Sequence, residues 1–278
     1  MNIKYLLSSK IWEFFAKWFA GKGVVYAPVS EYAYTLKHFV LLGLVTTLTI
    51  FIYFFYKNKS DKFKRKSLVV AAYIMMVCEI LAKISKLIYF AELGKLTFAG
   101  AVQTILPIHF CSIIIWVLII SILIDYKPMM SFGAVCGLLG TLVYLLYPAE
   151  GLGASFIHFR AFSSIFTHSI GFVVCINMFI FRMIKLDIKD MWKTFILLAS
   201  MVLYCGLMNL LFPYDANGNL NNYLFMIKNP TPINTGIIPY QLVFALIACV
   251  FFASMYLIPY IVNKYKKNSP KNNENIKR

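Results

Sequence analysis

The chain has 278 residues, 60% hydrophobic and only 14% charged, with a mean hydropathy of +0.73 and a formal charge of +16. A soluble globule averages roughly 45–50% apolar and 25% charged residues, so the composition excludes a soluble domain and specifies a membrane protein. The charge excess does not specify a nucleic-acid partner, because it is distributed as membrane flanks.

In chain order, residues 1–34 come first. Ile3, Leu7, Ile11, Phe14, Phe15 and Trp18 share one helical face, with Lys10, Glu13 and Lys17 opposite. That pattern predicts a helix lying in the headgroup region. No apolar core with a small-residue cleavage site follows, so it is not a secretory signal. Seven apolar stretches, about 38–56, 67–90, 104–124, 130–148, 162–182, 193–212 and 238–262, are each long enough to cross a bilayer. They define a membrane domain over 35–262, followed by a basic tail, 263–278. The predicted fold is all-α, a polytopic bundle of about seven transmembrane helices.

Four alternating segments (57–66, Lys127, 182–193 and the tail) hold 17 basic residues, and the opposite set holds eight. The positive-inside rule then puts the N-terminus outside and the C-terminus in the cytoplasm of a multi-pass cell-membrane protein. Attraction to anionic lipid accounts for the surplus charge, so the bilayer is the expected partner. Protein partners are not specified.

On this topology all four histidines fall at the outer end. His38 opens the first span, and His109 lies a turn and a half into the third. His158 precedes the fifth span, and His168 is about two turns inside it. Cys111, Arg160 and Asn209 share that outer third. Each has an ordinary reading: an interfacial hydrogen-bonding group for His38, headgroup phosphate for Arg160, an interhelical bond for Asn209. Glu79 lies mid-span, where a carboxylate is expensive, and Lys83 and Lys86 share its face. It is either half of an internal ion pair or a site-supporting, proton-handling group.

All six cysteines lie within apolar spans and none forms a CxxC pair. Disulfides and a cysteine-only zinc site are not expected, and five of the six read as small apolar filler. A histidine-bound metal lacks an HExxH-type pairing, so no metal or other cofactor is expected. Cys111 stands apart because His109 precedes it by two. On a regular helix such residues point about 200° apart, and Pro107 either marks the first turn of that helix or loosens its backbone; either way a base for Cys111 is expected from another helix, with His168 or His158 the candidates. Between the last two spans, 213–237 is rich in Asn, Pro and Gly and reads as turns. Its "DANGN" places glycine fourth, not sixth as in a calcium loop.

Three segments, "LPIHFCSI" (106–113), "HFRAFSSIFTH" (158–168) and "NYLFMIKNPTP" (222–232), resemble the YwaF-like integral membrane proteins. His38 and Glu79 also match positions associated with that family, and the resemblance covers roughly 35–262. The insert at 215–221 and the long amphipathic N-terminus depart from it. The family is in turn similar to a vertebrate transmembrane acyltransferase that remodels ether phospholipids with a cysteine and a histidine. The resemblance implies Cys111 as acyl-carrying nucleophile and His168 or His158 as base. Arg160, His109, Asn209, Asn222, Tyr223 and Lys228 are then substrate-binding candidates, with His38, Glu79 and Lys83 in support.

Two function classes follow. One is a lipid acyltransferase at the outer leaflet, drawing on membrane phospholipid because acyl-CoA does not reach that side. The other is a non-enzymatic transporter or ligand- or lipid-binding bundle with an outer pocket.

Overall fold

The computed structural model describes residues 10–146, 151–215, 218–228 and 239–267. Ile3, Leu7, residues 268–278 of the tail and the "NPTP" part of the late segment lie outside them. The described residues form helices with no strands, only isolated bridges at Tyr26–Ala154 and Tyr214–Leu220. In order these are α1 (Lys10–Phe15), α2 (Val29–Tyr32), α3 (Leu36–Tyr56), α4 (Asp61–Glu92) and α5 (Phe98–Ile105). Then come α6 (Phe110–Leu123), α7 (Lys127–Leu146), α8 (Phe159–Ile180), α9 (Met191–Leu211) and α10 (Tyr240–Lys267).

Six helices are long and apolar enough to span a membrane. Counted together as one span, the pair α5–α6, bent by 52° at its junction, brings the number to seven. The expected count of about seven is met, but the third span is two half-helices rather than one rod.

Helices α4, α6, α7 and α8 form a ring: α4 packs on α6 and α8, and α7 packs on the same two from the other side. Of the apolar stretch of α7, 67% is buried, against 6% for α3 and 11% for α10, so α7 is central and those two face lipid. Bilayer chains are as apolar as the helices, so close packing rather than water exclusion has to hold the ring. The sequence supplies it with small residues. A Cβ at Gly137 would lie 2.8 Å from Cys175 Sγ, and one at Gly140 would lie 2.9 Å from the Phe110 ring. Between those contacts, Leu118, Ile119 and Ile122 of α6 interlock with Met130 and Ala134 of α7, Met178 of α8 and Met75 of α4.

The N-terminal segment does more than lie in the interface. Ile11, Phe14 and Trp18 point outward, as the amphipathic pattern predicts, but Ala16, Phe19 and Ala20 are buried. Ser85 of α4 donates to the Phe19 carbonyl at 2.6 Å. Glu92, at the end of α4, accepts from Trp12 Nε1 at 2.8 Å and from Lys22 Nζ at 2.7 Å. The π-helical turn Ala16–Ala20 that continues α1 therefore docks Ala16, Phe19 and Ala20 on the bundle.

Candidate functional site

The break in the third span begins with Pro107. Proline has no N–H and disfavours helical backbone at the preceding residue, and Leu106 is extended (φ −69°, ψ 142°). The chain stays extended through His109 (φ −81°, ψ 144°), and α6 starts at Phe110. A helix end inside a membrane leaves carbonyls without intrahelical partners. Here Lys83 Nζ donates to Thr104 O at 3.3 Å and to Leu106 O at 3.4 Å, and Cys205 Sγ donates to Ile108 O at 3.7 Å. Lys83 is thus directed at the carbonyl end of α5, where a cation complements the helix dipole. Glu79 influences it electrostatically from one turn away, yet no ion-pair contact joins the two.

On the other side of the break, His109 occupies the N-cap position of α6 without a side-chain cap bond. The first-turn N–H groups of Phe110, Cys111 and Ser112 therefore point toward the break. Cys111 is half-buried as the second residue of that turn. Ser112 donates to Glu79 Oε2 at 3.5 Å, while the Thr167 hydroxyl of α8, near the same carboxylate, donates to Ser163 O at 2.8 Å. The carboxylate of α4 thus bonds α6 through Ser112 and stands beside Thr167 of α8. The sequence neighbours of Ser112 and Thr167 are Cys111 and His168.

His168 is buried and stacks on Tyr144 of α7, with ring centroids 3.7 Å apart. Its Nδ1 lies 2.7 Å from Ser164 O, so Nδ1–H donates and Nε2 is the basic nitrogen of the neutral ring. Tyr144 is oriented in turn by Ser164, whose hydroxyl donates to it at 3.0 Å.

His158 belongs to a different structure. Its Nδ1–H donates to Phe156 O at 3.3 Å, so Nε2 accepts from Tyr26 OH at 3.0 Å, and Tyr26 in turn accepts from Arg160 Nη2 at 2.8 Å. Burial, aided by the positive charge of Arg160, pushes His158 below the usual histidine range; the Phe156 carbonyl pulls the other way. Gly21 covers the ring: its φ is +75°, and a Cβ there would sit 2.3 Å from the imidazole. Arg160 also lies over the Tyr89 ring, 4.8 Å from its centre.

His38 is likewise committed. Nδ1 accepts from Tyr34 N at 2.9 Å and Nε2–H donates to Leu145 O at 2.6 Å, closing the end of α7. Tyr34 takes a left-handed conformation (φ +58°) to make its bond.

The loop residues form a third group. Asn209 is buried, donating to Tyr223 O at 3.0 Å and accepting from Tyr223 N at 2.9 Å, as in a strand pair. Asn222 accepts from Ile227 N and Lys228 N and donates to Lys228 O at 2.7 Å, folding the loop on itself. Tyr223 is buried, its phenol pushed up to about 12 by that burial, and it donates to Gln103 of α5 at 3.2 Å. Its ring meets His109 edge-on at 5.3 Å. Lys228 is exposed. In "DANGN" Gly218 N donates to Asp215 O at 3.0 Å and Asn219 N to Asp215 Oδ1 at 2.8 Å, while Ala216 and Asn217 lie outside the described residues. Among the described residues no group of three or more His, Cys, Asp or Glu could hold a metal ion.

A family model described as the TMEM164 family matches residues 33–256. The chain belongs to the TMEM164 family. No curated protein and no solved structure matches it. The match takes in the seven spans nearly whole, and with them the break, the Glu79 bridge and the Asn209–Tyr223 loop. Gly21 and Tyr26, which close over His158, lie before it.

Sequence reasoning missed Gln103, Tyr144, Thr167 and Tyr26. Gln103 and Thr167 carried a signal, as polar residues inside apolar runs. The tyrosines did not stand out among 18.

Proposed function

We propose that this TMEM164-family chain is a membrane lipid acyltransferase with Cys111 as its acyl-carrying nucleophile. The observation that carries the reading is the place of Cys111: the first turn of a half-helix that begins at a break inside a membrane span. Negative charge is favoured at a helix N-terminus, and cysteine nucleophiles are activated in such surroundings. The resemblance to YwaF-like proteins, and through them to a cysteine-dependent lipid acyltransferase, points to the same residue.

In the proposed reaction His168 Nε2 takes the Cys111 proton while the sulfur attacks an ester carbonyl of a membrane phospholipid. The oxyanion develops toward the first-turn N–H groups of α6, which act as preorganised donors. The C–O bond breaks, the protonated His168 returns its proton to the leaving alkoxide, and a lyso-lipid departs from a Cys111 thioester. The hydroxyl of an acceptor lyso-lipid then gives its proton to His168 and attacks the thioester, and the thiolate leaves and is reprotonated. His168 is preferred to His158, whose Nε2 is engaged by Tyr26 beneath Gly21. Arg160 holds the donor phosphate. Eight residues of helix put it roughly 12 Å along the axis from His168, a distance the arginine side chain and a glycerol backbone cover together. Glu79 positions the cysteine and histidine helices. The active face is the outer leaflet of the cell membrane.

The broken span also suits a transporter, since discontinuous helices line many transport sites. Its carbonyls favour the enzyme, however, because Lys83 and Cys205 take them. Purified protein given acyl-labelled phospholipid and an unlabelled lyso-lipid is expected to move the label, and Cys111→Ser to abolish the transfer. Transfer that survives this substitution removes the proposal, and solute uptake independent of Cys111 establishes the alternative.

A further inference from the structure

At the opposite, lysine- and arginine-rich end of the bundle, a cavity of about 420 Å³ opens between the start of α7, the 181–190 connection, α9 and α10. We propose that it binds the phosphate of an anionic phospholipid headgroup, separately from the Cys111 layer.

The floor is made of hydroxyls. Thr194 and Tyr256 are each 2% exposed and bond one another. Two hydroxyls sharing one hydrogen bond keep one O–H over, and no other described group accepts it. A buried O–H facing a cavity calls for an acceptor there. Ser131, from α7, adds a third hydroxyl.

The walls are cationic. Lys127 pairs with Asp125 at 2.8 Å and Lys193 with Asp190 at 2.6 Å. The other lining carboxylate, Asp187, accepts from Lys189 N at 2.9 Å. No described carboxylate pairs with Arg182 or Lys185. With Lys127 held by Asp125 and Lys193 by Asp190, Arg182 and Lys185 against Asp187 leave a surplus of one positive charge at the wall. Donors below and unmatched cations at the side are the arrangement a phosphate takes, with arginine able to bind two oxygens at once.

The backbone at Arg182 marks the same place. It follows α8 in a left-handed conformation (φ +53°), with Met183 N bonding Met178 O at 3.0 Å. That helix-ending motif favours glycine, because a Cβ is strained there. An arginine in it holds its guanidinium at the cavity wall against a local backbone preference. The cavity lies at the ends of the spans, where the headgroups of a leaflet are found.

The test uses the full-length protein in neutral phosphatidylcholine nanodiscs, with phosphatidylglycerol retention read by native mass spectrometry. Wild type is expected to retain phosphatidylglycerol in preference to phosphatidylcholine. Arg182→Gly combined with Lys185→Gln is expected to weaken that preference about tenfold, the scale of losing charge-assisted hydrogen bonds. Arg182→Gly alone should raise the melting temperature of the lipid-free protein, since glycine fits the turn, so a loss of binding cannot be misfolding. Lys57→Gln with Lys59→Gln removes two charges at the same end outside the cavity and should leave the preference intact. Equal losses in both double variants would mean diffuse surface attraction and overturn the site, as would no preference in wild type. Inorganic phosphate or glycerol phosphate binding as tightly as the lipid overturns the headgroup as its ligand.

Discussion

His158 and His168 stand ten residues apart at the entry to one helix, yet they belong to regions built on different principles. Around His158 the polar groups come from the N-terminal segment, the loop before α8 and the first turn of α8, joined in a chain from Arg160 through Tyr26 to Phe156. A glycine closes it over. Around His168 the polar groups come from helices of the bundle: Tyr144 of α7 stacked on the ring, Ser164 O of α8 accepting from it, and Glu79 of α4 bonded to Ser112 of α6 beside the break. The first arrangement seals an end of the molecule. The second is the region in which the proposed nucleophile, Cys111, and the proposed base, His168, belong to helices of the bundle. Histidines at the ends of spans thus differ in their hydrogen bonds, and on the proposed function those bonds separate His168 from His158.

The largest expected effect separates the two directly. His168→Gln should lower acyl transfer by about 10²–10⁴-fold, the usual contribution of a general base. His158→Gln should stay within a few-fold of wild type. Equal losses in a lipid-transfer assay would erase the distinction.

The next probes the break. Lys83→Met leaves the Thr104 and Leu106 carbonyls without their cation and should cost about 1–3 kcal/mol, the penalty for unsatisfied buried acceptors. Maleimide labelling of Cys111 should then change in rate. An unchanged rate with unchanged thermal stability would show that Lys83 does not hold the break.

Smaller effects belong to the cap. Gly21→Ala places a methyl against the His158 ring at a positive φ and should loosen residues 10–32 by about 1–3 kcal/mol, the range for overpacking, while transfer activity persists. Proteolysis within that segment is the readout; a Gly21→Ala protein as resistant as wild type would contradict the packing.

The smallest is a pH effect. His158 is held below its ordinary value, chiefly by burial, so folding favours its neutral form. The stabilisation is present above the unfolded histidine pKa of about 6.5 and is lost as pH falls through the lower folded value. Acidification should raise hydrogen exchange in the cap, and His158→Gln should flatten that dependence. The same acid response in the variant would assign it to another group.

Much of the bundle was legible in the sequence, because span length and the run of apolar residues are set by bilayer thickness. Pro107 was open to two readings, the first turn of a helix or a loosened backbone, and neither gave two half-helices meeting at a bend. Lys83 one turn from Glu79 read as half of an ion pair. The carbonyls that claim it come from a segment twenty residues away, and local spacing carries no trace of them. Asn209 was open to an interhelical or a substrate role, and its exchange of both amide bonds with Tyr223 depends on how the later loop returns. For His38 and His158, periodicity gave the level but not the partners, which come from Leu145 and Tyr26, more than a hundred residues away in sequence.

The most direct test of the central claim is mass spectrometry of the Cys111 peptide after purified protein is incubated with phospholipid alone. The expected result is a mass gain of one acyl chain on Cys111, removed by hydroxylamine, chased off by lyso-lipid and absent from Cys111→Ser. An unmodified Cys111 in protein that still transfers acyl groups would place the nucleophile elsewhere and contradict the account.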